Sequence, residues 1–139
     1  MATIKLNTDL EQSKKLAAIL SLESADMCWT KYIDDGEVTS LHATVNYGIV
    51  PIEYPCWSLA TLLNVLPNEI ITDNMFECHY QIDIRKYDGG NNTTLYQIAY
   101  GNNRGLSGSW HDMINTGEKE NLIDCCVQML LKLHELNLL

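Results

Sequence analysis

Pro55-Cys56-Trp57-Ser58-Leu59-Ala60-Thr61-Leu62-Leu63-Asn64-Val65-Leu66-Pro67 is a short helix written together with both of its ends. Pro55 cannot continue a helix from its N-terminal side, and Ser58 offers a hydroxyl to the first free amides. Leu59, Leu62, Leu63 and Leu66 recur at helical spacing, and Pro67 stops propagation. A helix punctuated this firmly between strand-rich segments locates a core. It names no reaction.

Outward toward the N-terminus, residues 27 to 33 and 37 to 47 are aromatic and β-branched, with Asp34-Asp35-Gly36 as a turn between them. Thr39, Leu41, Ala43, Val45 and Tyr47 form the better core face of the second strand, which places His42 on the polar side. Before this hairpin, Thr8-Asp9-Leu10-Glu11 has the spacing of a capping box for a helix from about Asp9 to Leu22.

Toward the C-terminus, residues 75 to 87 alternate with a period of two. Phe76, Cys78, Tyr80, Ile82 and Ile84 lie on a core side, and Glu77, His79, Gln81, Asp83 and Arg85 on a wet side. Asp88-Gly89-Gly90-Asn91-Asn92 turns the chain, and residues 93 to 100 return it. Residues 101 to 117, rich in Gly, Asn and Ser, read as the longest loop. A last helix opens at Glu118 or Asn121 and runs to about Glu135, with Leu122, Cys126, Met129, Leu130 and Leu133 inward. The order α-ββ-α-ββ-α predicts an α+β fold: an antiparallel sheet of about four to five strands with three helices packed on one face. At 139 residues and 46% apolar content, one domain spanning 1–139 is expected.

Composition excludes several function classes. Nine Lys and Arg against eighteen Asp and Glu leave a net charge of −9, the wrong sign for neutralising a nucleic-acid polymer. The acids are spread along the chain as solubility charge. No run of eighteen apolar residues calls for a membrane, and Met1-Ala2-Thr3-Ile4-Lys5 lacks the order of a secretory leader, so a cytoplasmic protein is expected. Five cysteines without a Cys-x-x-Cys pair read as reduced thiols.

Metal ligation fits none of the candidate pairs. Cys78-His79 point to opposite strand faces, Cys125-Cys126 diverge on a helix, and His111 beside Trp110 has no second ligand at suitable spacing. Cys56 is the best-placed thiol for a nucleophile, but packing beside Trp57 is the expectation. The glycines of 101 to 108 lack a Walker lysine and the G-x-G-x-x-G order. No catalytic residue, no metal and no cofactor is therefore assigned. Aromatic, cationic and glycine residues do meet between Tyr100 and His111. There Arg104 would pair with a phosphate, Tyr100 or Trp110 would stack on a base, His111 would donate, and Arg85 would join from its strand.

Four segments carry a likeness. They are Leu10-Glu11-Gln12-Ser13-Lys14-Lys15-Leu16; Ser24-Ala25-Asp26-Met27; Pro55-Cys56-Trp57-Ser58-Leu59 with Leu62-Leu63 and Leu66-Pro67; and Asp124-Cys125-Cys126-Val127-Gln128-Met129-Leu130. Together the chain resembles a group of small proteins, of no assigned activity, encoded by phages and prophages of anaerobic gut bacteria. The resemblance implies a noncatalytic accessory protein acting in the host cytoplasm. As a host-defence antagonist, it would sequester a small nucleotide-like ligand, with homo-oligomerisation expected. The alternatives are an acidic inhibitor docking on a host protein and, behind it, a small hydrolase.

Overall fold

The computed structural model describes residues 5–34, 37–45, 54–72, 77–103 and 108–139, with the side chains of 31–34 and 37–41 outside that description. The fold is α+β, with three helices and seven strands in two antiparallel sheets among these residues. The chain divides into two compact units, Lys5–Val65 and Leu66–Leu139. A single sheet of four to five strands is thus replaced by one of three and one of four. The helix at 59–65 ends one unit, and the strands on either side of it pair only within their own sheets.

In the first unit, helix α1 (Leu10–Ala17) is capped by Asp9 rather than Thr8. The Asp9 carboxylate accepts from the Gln12 amide at 2.8 Å, and the Gln12 side chain accepts from the Asp9 amide at 3.1 Å. Thr8 is displaced from that role because its hydroxyl is buried elsewhere. It lies 2.7 Å from the Ser13 hydroxyl and accepts from the Trp57 amide at 3.2 Å. After a 3₁₀ turn at Leu22–Ser24, strand β1 (Met27–Asp34) sits between β2 (Glu37–Val45) and β3 (Tyr54–Cys56). Val45, read as core, is half exposed, and His42 is exposed as its polar face requires.

Helix α2 (Leu59–Val65) falls where its two prolines confine it. The Ser58 hydroxyl accepts from the Thr61 amide and itself donates to Asp26, whose other carboxylate oxygen accepts from the Ser58 amide. Burial opposes ionisation of Asp26, but these bonds outweigh it and hold the carboxyl below its usual range.

The second unit is a meander of β4 (Glu69–Thr72), β5 (Cys78–Gly90), β6 (Thr93–Asn103) and β7 (Trp110–Asn115), in that spatial order, followed by α3 (Leu122–Glu135). The β5–β6 hairpin turns at Asn91 and Asn92, whose φ values of 52° and 60° are both left-handed, as a tight twisted turn demands. Helix α3 packs on β6, and Ile123, Cys126, Met129, Leu130 and Leu133 are buried with Ile98, Tyr100 and Tyr80. Ile84, one strand from β6, remains 45% exposed, against its reading as core. Phe76 and Tyr47 lie outside the described residues.

Residues 101 to 117 are not one long loop. Gly101–Asn103 extend β6, and Trp110–Asn115 form β7 against it, with a bulge between Tyr100 and Gly101. The chain then stays beside β6: the Thr116 amide donates to the Ile98 carbonyl, the Ile98 amide donates to the Thr116 hydroxyl, and Lys119 and Tyr96 exchange a pair of backbone bonds. Gly and Asn density signalled a break, yet strand pairing satisfies the same backbone groups.

Candidate functional site

The outer face of the four-stranded sheet carries the polar set of β5: His79, Gln81, Asp83 and Arg85. Cross-strand register places Arg85 opposite Gln97, Asp83 opposite Ala99, and Gln81 opposite Gly101, which in turn faces Asp112 of β7. On this face of β6, between Gln97 and Asn103, stand Ala99 and Gly101, both buried. Two small side chains leave room for Arg85 to cross β6. Its guanidinium grips Asp112 in bidentate fashion at 2.6 and 3.0 Å, while its Nε donates to Asp83 at 2.7 Å.

Asp112 also accepts from the Trp110 indole Nε1–H at 2.7 Å. The indole lies against Gly101, where an added Cβ would meet Trp110 Nε1 at 2.8 Å and run into the His111 carbonyl. Trp110 as a whole is 36% exposed. Trp110, with His79, Gln81, Gly101, Asn102 and Asn103, lines a cleft of about 170 Å³. On its far wall the His79 ring lies 2.7 Å from the Glu69 carboxylate and 3.5 Å from that of Glu77. Asn102 donates to the His79 carbonyl, but its own carbonyl oxygen is buried with no hydrogen-bond partner.

Hydrogen bonds from Arg85 keep the Asp112 carboxyl below its usual range despite partial burial, and those of Asp112 and Asp83 keep the guanidinium protonated.

The five residues singled out in the sequence are distributed unequally. Arg85 and Trp110 come together through Asp112, but Arg85 is committed to two carboxylates and is no ready phosphate partner. Tyr100 cannot stack on a ligand: it is fully buried, and its hydroxyl donates to the Pro67 carbonyl at 2.6 Å. Burial raises its pKa. His111 alternates with Trp110 along β7 and lies on the opposite face, opposite Asn102. Arg104 lies outside the described residues.

Asp112, Asn102 and Gln97 escaped the sequence reading. The signal for Asp112 was Trp-x-Asp, an i, i+2 pair that shares a face only once 110–115 is a strand. The Cys56 thiol is buried among Thr8, Ser13 and Asn7. Burial pushes its pKa up, the wrong direction for a nucleophile. Burial likewise pushes Cys126 up to about 12. All five cysteines are free thiols. Among the described residues no group of three or more metal-ligating side chains converges, and no helix is long and apolar enough to cross a membrane.

No family model, no curated protein and no solved structure matches the chain.

Proposed function

We propose that this is a noncatalytic binding protein, a phage or prophage accessory protein acting in the host cytoplasm, which takes the base of a small nucleotide-like ligand at the Trp110 cleft. The observation that carries this reading is an indole held by its N–H beside a cleft walled by amides and an imidazole. An aromatic face stacks on any base, and Asn and Gln side chains supply donors and acceptors for its edge. At about 170 Å³ the cleft suits one ring system. Pockets for whole drug-sized ligands span roughly 300–1,000 Å³. The sugar and phosphates would therefore stay outside the cleft.

Isothermal titration against mononucleotides, cyclic dinucleotides and ADP-ribose tests this. Binding heat is expected for at least one of them, accompanied by quenching of indole fluorescence, and Trp110→Ala should abolish both. Absence of heat across the panel would sink the reading.

A second reading, an acidic inhibitor docking on a host protein, draws on the same face. Asp83, Asp112, Glu69 and Glu77 outnumber Arg85 there, which complements a basic surface. Capture of one basic host protein, lost with Asp112→Lys, would favour it.

A further inference from the structure

We propose that the Trp110 cleft prefers an electron-poor or positively charged planar ring, such as a pyridinium or an N-alkylated base, and that Asp112, held by Arg85, is the positioning residue that sets this preference. The proposal rests on the base-binding reading above and names the chemical class of the ring.

The electrostatics of the indole come first. Its N–H donates to an ionised carboxylate at 2.7 Å, which pushes electron density into the ring and makes its π face a better partner for positive charge. Arg85 donates to the same Asp112 oxygen as the indole and weakens this effect without removing it. It carries one positive charge against the two carboxylates it bridges, so the Asp83–Arg85–Asp112 trio keeps a net negative charge. Across the cleft, Glu69 and Glu77 do not line it but sit on the ring nitrogens of the lining His79. A cationic ring entering between these walls meets attraction from both, whereas an anionic group meets repulsion.

Preorganisation comes second. The indole is pinned at Nε1 by Asp112 and lies on Gly101, where no side chain fits. Asp112 is itself fixed by two parallel bonds from Arg85, so the stacking platform exists before a ligand arrives, and little rotamer freedom is lost on binding.

Matched pairs that differ by one methyl and one charge test the idea: 1-methylnicotinamide against nicotinamide, and 7-methylguanosine against guanosine. Each would be titrated into the full chain by calorimetry at low and high salt. The cation should bind about tenfold tighter than its neutral twin, with the margin narrowing as salt screens the carboxylates. Asp112→Asn, nearly isosteric, should bring the twins to within about twofold, while Arg85→Lys, which keeps the charge, should retain most of the preference. The far-ultraviolet spectrum and melting temperature report whether each variant is folded. Equal binding of the twins to the parent chain would overturn the preference and leave base binding standing. An undiminished preference in Asp112→Asn would overturn the role of Asp112. Binding of neither member of either pair, with no binding of the nucleotide panel, would overturn both readings together.

Discussion

In the Lys5–Val65 unit the best-buried atoms include the hydroxyls of Thr8 and Ser13 and the thiol of Cys56, whereas under α3 the interior is made of Leu130, Leu133, Met129, Ile123 and Ile98. The first adds directional partners to a fully buried apolar set of Leu16, Trp57 and Leu62. Thr8 serves Ser13, Cys56 and the Trp57 amide, and Ser13 also accepts from the Trp29 indole at 3.1 Å. The second is specified by volume, with few directional bonds beyond Cys125 to the Tyr96 carbonyl and Tyr100 to Pro67. A polar nucleus fails when one donor loses its acceptor. A hydrocarbon nucleus fails when space is left empty.

That contrast can be attacked directly. Leu130→Ala leaves a cavity where exposure is zero, and urea unfolding should register a loss of about 2–5 kcal/mol. Thr8→Val keeps the shape and deletes the hydroxyl, stranding the Trp57 amide. It should cost about 1–3 kcal/mol, while the volume-conserving Leu130→Met costs less than about 1.5 kcal/mol. If Thr8→Val proves the milder of those two, the interior of the first unit is governed by packing after all.

The smallest effect belongs to the outer face. The Arg85–Asp112 pair is partly exposed, with side chains 22% and 23% accessible, so Asp112→Asn should cost about 0.2–1 kcal/mol near pH 7. Asp112 has a folded pKa below its ordinary 3.8, so its contribution is complete above that value and drains away as pH falls through the depressed folded value. Parent and variant should therefore differ in melting temperature at pH 6 and converge toward pH 2. A gap that persists in acid would mean the carboxylate charge is not what stabilises this face.

The candidate site was half legible. Arg85 was placed correctly on the wet side of β5 because alternation over 78–85 is a local, period-two signal. Tyr100 was read as a ligand contact but is buried, because its face depends on the phase of β6, and nothing in Gly101-Asn102-Asn103 announces that the strand continues. Asp112 lies 27 residues from Arg85, a partnership that exists only once β7 is paired with β6.

By itself the sequence determined the confinement of α2 between its prolines, the Asn91-Asn92 reversal and the α+β class, since these follow from backbone sterics and from periodicity within a few residues, whereas α1 stops at Ala17, short of the expected Leu22. Tertiary structure alone decided the division of the strands between two sheets, the conversion of 110–115 into a strand, the burial of Tyr100 and the engagement of Arg85 with two carboxylates. Those outcomes depend on which faces are buried together and which distant backbone groups satisfy one another, and no short window of residues carries that information.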